Sequence, residues 1–315
     1  MKALVVVSEL NSARTLKRCL DCLINQETHD DYRVWVIDGG SIDGSIEIIK
    51  SYPRGIYLKV IPGASEVTGQ NFALSFASFG VDVILFTNSD CYVGKDWVRR
   101  HLSWHKNGYD MVGGKLFWGG DKYGFAWSYM TPDIPTNILT SGLSLGFSNC
   151  SLSMSLVKKV GLLKEMKAQQ DMDFWIRAIK MGAKMALDPK IEVYHDHPMG
   201  SFRGSWLRAF YYGRNHVILL RAAFGRTRWP NYTAWPYSLQ TLEELMLVRM
   251  ALIWKQQRMI ADKHGINPGL IRFVFLKMFA FKVATLFGWL MAMLHPVGKV
   301  IETEMTDAHR WGKTD

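Results

Sequence analysis

The run Val81-Asp82-Val83-Ile84-Leu85-Phe86 constrains this chain more than any other stretch. Val83 to Phe86, with Val81 ahead of them, read as a strand buried on both faces. The strand stops at Thr87, Asn88, Ser89 and Asp90, all small oxygen-bearing side chains. In open α/β sheets, ligands sit just beyond the carboxyl ends of the strands. A carboxylate placed there can hold a hard divalent cation, which keeps some waters and takes phosphate oxygens as further ligands. Taken alone, Asn-Ser-Asp is equally an Asx-turn or a helix N-cap.

The segments before this strand alternate between two periods. Ala3–Val7 and Arg33–Ile37 read as strands, and Leu58–Ile61 as a third. Between them Ala13–Gln26 is amphipathic, with Leu16, Cys19, Leu20 and Leu23 on one face, and 45–50 and 68–79 fit helices. Alternation of this kind predicts a doubly wound, mostly parallel sheet. Neither G-x-G-x-x-G nor G-x-x-x-x-G-K-[ST] occurs. A bound nucleotide must therefore be held by strand-end acids and a metal. The opening Met1-Lys2 and its short β-branched run carry no signal-peptide pattern, so the chain is expected to start inside its fold. Cys19, Cys22, Cys91 and Cys150 do not form a secreted-type disulfide framework, which points to a reducing compartment.

The first ninety residues resemble the start of a family 2 glycosyltransferase. The matching pieces are a strand ending near Asn11, the helix with Thr15-Leu16, Cys19-Leu20 and Gln26, and Val36-Ile37-Asp38-Gly39-Gly40-Ser41-x-Asp43-Gly44. Gly69-Gln70-Asn71 and Phe86-Thr87-Asn88-Ser89-Asp90-Cys91 complete the set. The resemblance implies a GT-A fold and a nucleotide-sugar donor. It makes Asp38 the contact to the donor's base, and Asn88 to Asp90 the D-x-D segment with Asp90 as metal ligand. By the same resemblance Ser8, Asn11, Gly40, Gln70, Asn71 and Asn149 belong to the donor site. Two positions depart from the family: Ser8-Glu9 replaces the usual Pro-Thr, and Asn88 replaces the first acid of D-x-D. An amide can still hydrogen-bond ribose or a metal-bound water.

A second chemical centre is Gln169-Gln170-Asp171-Met172-Asp173. Acids at a helix start are stabilised by the dipole, and a carboxylate near an acceptor hydroxyl can take its proton. The segment resembles the family's E-D-x-[DE] helix start, which makes Asp171 the catalytic base and Asp173 a supporting, donor-side residue. Gln170 stands in place of Glu. His195-Asp196-His197 follows a strand over Ile191–Tyr194. Either His195 or His197 can ligate a metal, as Mn2+ or Mg2+, or contact the diphosphate. The stretch 117–145, rich in Gly, Pro and aromatic residues, reads as a long substrate-facing loop.

Charge divides the chain at about residue 200. Residues 1–200 carry 22 Lys+Arg against 21 Asp+Glu, and residues 201–315 carry 16 against 7. Six arginines, Arg203 to Arg228, have no acid between them and interleave with Phe202, Trp206, Leu207, Phe210 and Tyr211. This is the composition of an interfacial helix on anionic membrane lipids. Residues 273–294 carry only Lys277 and Lys282 as charges, enough length to approach a bilayer core.

The expected domains are a catalytic GT-A domain over 1–200, a basic interfacial helix over 201–230, and a helical membrane-associated region over 231–315. The last contains a candidate transmembrane helix at 270–296. The cellulose-synthase-like members also place membrane helices after the catalytic domain, but their Q-x-x-R-W signature is not intact here. The chain is therefore expected to be an inverting, metal-dependent glycosyltransferase at the cell membrane, with its catalytic domain on the cytoplasmic side. The resemblance favours a GDP-mannose donor, leaves UDP-sugars open, and suggests a lipid-linked acceptor. A catalytically silent nucleotide-sugar binder is the alternative, motivated by Asn88 and Gln170. Nucleic acid is not an expected partner, because the basic patch is interleaved with large apolar side chains.

Overall fold

The computed structural model describes residues 1–196 apart from 53–54, 78–79, 120–145 and 167–168, together with scattered positions between 206 and 291. An eight-stranded sheet organises the described chain. In the order of the sequence the strands are β1 (Lys2–Glu9), β2 (Asp31–Asp38), β3 (Ile56–Val60), β4 (Val83–Asn88), β5 (Cys91–Val93), β6 (Met111–Trp118), β7 (Cys150–Ser153) and β8 (Met185–His195). The helices are α1 (Ala13–Ile24), α2 (Ser45–Lys50), α3 (Glu66–Ala77), α4 (Trp97–Lys106), α5 (Met154–Val160) and α6 (Gln170–Lys180). Across the sheet the strand order is β3-β2-β1-β4-β7-β6-β8-β5.

The first four strands in that order are parallel. Strand β4 is buried on both faces, as its composition predicts: Val83, Ile84, Leu85 and Phe86 are all 0% exposed. Alternate residues feed two cores. Leu4, Val6, Ile84 and Phe86 pack with α3, α5 and α6, while Val5, Val7, Val83 and Leu85 pack with α1 and α4. Burying each such side chain contributes roughly 1.5–3 kcal/mol. Helix α1 seats Leu16, Cys19, Leu20 and Leu23, each 0% exposed. Gln26 then ties its end to the far half of the sheet, bonding to the Gly94 carbonyl at 2.8 Å and to the Val98 N–H at 2.9 Å.

The sheet is mostly parallel, as expected, but beyond β4 two strands, β7 and β5, run against the rest. Strand β7 runs antiparallel to both β4 and β6, β8 is parallel to β6, and β5 is antiparallel to β8. Strand β7 is not among the strands the sequence pattern predicts. That strand is only four residues, Cys-Ser-Leu-Ser, with no apolar run of its own. Its pairing comes from the strands on either side. Strand β8 is longer than the pattern around Ile191 suggests and tolerates Pro189 because its register breaks there. Gly114 pairs with Asp188, but Lys115 pairs with Glu192, leaving the proline and its neighbours in a bulge. Gly114 must be glycine: a Cβ there would collide with the Ile191 carbonyl and come within 2.7 Å of the Asn149 amide.

Among the described residues no helix is long and apolar enough to cross a membrane. Most of the expected segments 201–230, 231–315 and 270–296, and the 117–145 loop from residue 120 on, lie outside the described residues.

Candidate active site

The carboxyl ends of β1, β2 and β4 open into one cleft of about 840 Å³. Parallel strands all end on the same edge, so residues far apart in sequence meet there. Ser8, Asn11, Gly40, Asn88 and Asp90, all expected in the donor site, line this cleft. Asn11 adopts φ +53°, a left-handed conformation that Asn tolerates. It joins the β1 and β2 loops, donating its backbone N–H to Ser41 Oγ at 2.8 Å and accepting the Ile42 N–H at its side-chain Oδ1 at 2.9 Å. Gly40 has φ +100°, and a Cβ there would press on Pro62 at 3.2 Å.

Asp38 ends β2, fully buried and register-paired with Glu9. Its Oδ1 accepts the Gly40 and Ser41 N–H groups at 2.7 and 2.8 Å, which fixes the turn. Its Oδ2 has no hydrogen-bond partner among the described residues. Glu9 is similar: Oε1 accepts the Ser12 N–H at 2.8 Å, and Oε2 has no described partner although the residue is only 4% exposed. Buried acceptors without partners are costly in isolation and are a common mark of a ligand site.

Asp90 and His195 are brought together by β5. That strand pairs antiparallel with the end of β8 so that Cys91 lies opposite His195. His195 Nε2 is 2.9 Å from Asp90 Oδ1. The following residue is clamped: the Asp196 N–H donates to the Asp90 carbonyl at 2.7 Å, and its carboxylate takes Arg14 at 3.0 Å and the Tyr92 hydroxyl at 2.8 Å. Asp90, Cys91 and His195 offer donor atoms within 4.8 Å of one another. A carboxylate and an imidazole suit Mn2+, and the carboxylate suits Mg2+. Burial, then the nearby Asp90 charge, push the Cys91 thiol up, so it stays protonated and is no ligand for a hard cation. His197 lies outside the described residues.

Asp171 opens α6 after Gln169, a non-glycine residue held at φ +65°. Strain of that kind costs on the order of 1–3 kcal/mol and collects at functional sites. The Asp171 Oδ1 accepts the Met172 N–H at 2.8 Å, and a Cβ on Gly146 would lie 3.8 Å from Oδ2. Burial raises Asp171 to about 6, against the lesser pull of the backbone N–H groups. Its pKa thus approaches the range in which a carboxylate works as a base near neutral pH.

Four expected donor residues make internal contacts. The Asn149 carboxamide is fully occupied: Oδ1 accepts Trp97 Nε1 at 2.9 Å, and Nδ2 donates to the Lys115 and Ile191 carbonyls at 3.0 Å each. It clips α4 to the β6–β8 bulge. Asn71 exchanges two 2.9 Å bonds with the backbone of Leu163, joining α3 to the loop after α5. Asp173, 5% exposed, takes Lys164 at 3.1 Å and Arg177 at 2.8 Å, and Arg177 also binds the Val160 and Leu162 carbonyls. Gln70 is buried at 1% and donates to Glu66 at 3.1 Å, supporting the cleft wall from behind.

Glu66 is the cleft residue that sequence reasoning passed over. It sits in the first turn of α3, where an acid is ordinary. Enclosure by the cleft walls, followed by the charges of Asp171 and Asp90, pushes it up to about 7. Its surface still meets the cleft solvent, which screens part of that effect. Glu66, Asp90 and Asp171 are thereby within electrostatic reach at one end of the cleft.

The chain matches the pattern of Glycosyl transferase family 2 over residues 4–162. It is 32% identical over 121 residues to an uncharacterized glycosyltransferase, YfnE, of Bacillus subtilis (strain 168), covering 38% of this chain and 30% of that protein. It is 31% identical over 123 residues to a poly(ribitol-phosphate) beta-glucosyltransferase of Bacillus spizizenii, covering 37% and 19%. The match thus spans less than a third of either relative. Among solved structures it resembles the mannosyltransferase PcManGT from Pyrobaculum calidifontis, in complex with GDP-Man and Mn2+. That comparison has a TM-score of 0.57 at 16% identity, over 91% of this chain and 86% of the other. S. aureus TarS gives a TM-score of 0.51 at 16% identity, over 87% and 55%. Structural likeness at this identity establishes a shared fold. With the family pattern covering just over half of its 315 residues, the chain belongs to glycosyltransferase family 2 and carries a GT-A-like fold.

Proposed function

We propose that this protein is an inverting hexosyltransferase that takes a nucleotide diphospho-sugar as donor and uses Asp171 as its base. The observation that carries the reading is that Asp171, raised by burial to about 6, lies close enough for its charge to act on Glu66, which lines the cleft with Asp90 and Gly40. Asp38 Oδ2 is free to accept a base N–H, and the Gly39–Gly40 turn lets the nucleotide approach the backbone. Asp90 and His195 would hold Mn2+ or Mg2+, whose charge offsets that developing on the departing diphosphate. Asp171 takes the acceptor hydroxyl proton. The acceptor oxygen bonds to the anomeric carbon, and the bond from that carbon to the β-phosphate oxygen breaks, its electron pair leaving with the nucleoside diphosphate. A single displacement inverts the anomeric centre.

GDP-mannose is the favoured donor, with UDP-sugars as competitors. We assign the acceptor to the lipid-linked class, presented at the cytoplasmic face of the cell membrane to a catalytic domain spanning 1–200. The excess of 16 basic over 7 acidic residues in 201–315 supports this assignment. So do the exposed apolar side chains Leu276, Phe279, Phe287 and Met291 at helical positions. Residues 201–230 would lie on the interface, and 270–296 would insert in it or span it.

Calorimetric titration of the full chain with GDP-mannose, UDP-glucose and UDP-N-acetylglucosamine, with and without Mn2+, tests the donor reading. Metal-dependent binding of one donor is expected, together with slow donor hydrolysis that Asp171→Asn abolishes. Metal-dependent binding with no turnover on any acceptor or water would instead leave a silent binder. Failure to bind any of the three would sink the transferase reading.

A further inference from the structure

We infer that Glu66 carries the acidic charge missing at position 88 and serves as the second carboxylate toward the divalent cation of the donor complex. The inference rests on the nucleotide-sugar reading of the same cleft. Asn88 stands where the strand-end motif has its first acid, so the motif alone offers one carboxylate, Asp90. Glu66 lines the same cleft as Asn88 and Asp90 but comes from a different element, the first turn of α3.

The two side chains are in contact. With its carboxamide turned to satisfy its neighbours, Asn88 donates to Glu66 Oε1 and to the Thr87 carbonyl, each at 3.3 Å, and accepts from Ser148 Oγ at 3.1 Å. An aspartate at 88 would have no proton to give Glu66 and would face it with a like charge. Asparagine at 88 and glutamate at 66 are therefore a matched pair, with the acid relocated by one hydrogen bond.

The rest of the wall holds Glu66 in place. Gln70 donates to the same Oε1 at 3.1 Å. The turn carrying Glu66 is latched from across the cleft, where Glu165 accepts from Ser65 Oγ at 2.8 Å and from Thr68 Oγ1 at 2.6 Å. A second feature independently marks the cleft as built for a positive or N–H-bearing ligand. Glu9 also lines it, is 4% exposed, and keeps Oε2 without a partner among the described residues. Hard cations select carboxylate oxygens. Glu66 lies outside the Asp90–Cys91–His195 cluster, so on metal binding its longer arm would turn from Asn88 toward the cation.

The test is Mn2+ binding to the full chain, read from the electron paramagnetic resonance signal of free Mn2+, with GDP or UDP present. Glu66→Gln should weaken Mn2+ binding by about tenfold or more, while nucleotide affinity measured without metal stays within about threefold. The double variant Glu66→Gln/Asn88→Asp should recover Mn2+ binding to near the wild-type level, which a merely structural Glu66 would not allow. The single variant Asn88→Asp should melt at a lower temperature than wild type in the absence of metal and regain it with Mn2+. It decides the matter if Glu66→Gln fails to fold. Unchanged Mn2+ binding in Glu66→Gln, no recovery in the double variant, or a metal-independent melt of Asn88→Asp overturns the inference and leaves the transferase reading standing. A wild-type chain that takes up neither Mn2+ nor nucleotide overturns both.

Discussion

The parallel half of the sheet, β3-β2-β1-β4, and the mixed half, β7-β6-β8-β5, use polar residues in opposite ways. In the parallel half the polar groups stand at strand ends: Ser8 and Glu9 line the cleft and Asp38 is buried at the end of β2, each with an oxygen that has no partner among the described residues. In the mixed half, apart from His195 at the end of β8, they are largely turned inward and bonded to one another. His101, His105, Ser151 and Asn149 form one buried network, with His101 Nδ1 at 2.8 Å and His105 Nε2 at 2.7 Å from a single Ser151 hydroxyl. Polar groups in the first half are left open at the cleft end, while those in the second hold short strands together. Asp171 stands between the two, partly buried at the start of α6 and within electrostatic reach of Glu66 on the cleft wall.

The largest expected effect tests that dual character. Asp171→Asn should lower kcat by about 10³-fold, the scale of a lost general base, with donor affinity nearly retained. In the wild type, kcat should rise with pH through about 6, where Asp171 ionises. Because its folded pKa is raised, the native state holds a proton that the unfolded chain releases. Stability therefore falls as pH climbs from the ordinary carboxylate range to about 6. Asp171→Asn removes that cost, so its urea midpoint at pH 7.5 should exceed wild type by about 1–2 kcal/mol equivalent. A variant both inactive and destabilised would show that Asp171 belongs to the structural half alone.

A pair of amide and acid variants separates the halves directly. Asp38→Asn keeps an oxygen for the Gly40 and Ser41 N–H groups but weakens the acceptor left for the donor. It should cost about 1.5–3 kcal/mol of nucleotide affinity with little change in melting. Asn149→Ala should do the reverse. It strands the Trp97 N–H and two carbonyls, and so should cost roughly 2–4 kcal/mol of stability with nucleotide affinity intact. If Asn149→Ala weakened donor binding in a protein of unchanged stability, the distinction drawn here would collapse.

The smallest effect concerns acid. Burial lowers His101 to about 3, with His105 adding to it, and burial lowers His105 to about 4. Both folded values lie below the unfolded one, so this network's stability is complete above about pH 6.5 and is lost as the pH drops toward 4 and 3. Replacing both histidines by glutamine should flatten that acid limb in denaturant titrations at pH 7.5 and 5. An unchanged limb would assign acid sensitivity to other groups.

Much of the parallel half was legible in the sequence. Strands buried on both faces are apolar runs, and a helix over a sheet shows its stripe, as α1 does with Leu16, Cys19, Leu20 and Leu23. The strand-end acids Asp38 and Asp90 follow from the same reading, because a parallel sheet must bring those ends to one edge. The mixed half was far less legible. Strand β7 is four residues without a pattern, β5 is three, and β8 runs through a proline. Asn71 and Asn149 carry motif-like positions, yet whether each side chain points at a ligand or at a neighbouring carbonyl depends on residues 34 to 92 positions away. Asp173 is taken instead by Lys164 and Arg177, 9 and 4 positions away.

By itself, then, the sequence determined the layered α/β half, the strand-end chemistry and the family, since each is written in local periodicity and short motifs. Tertiary structure alone decided that Asp90 meets His195 through the β5–β8 register, that Asn88 leans on Glu66, and that burial raises Asp171. These are properties of pairing, contact and desolvation, which arise between distant segments and leave no mark in the residues taken one at a time.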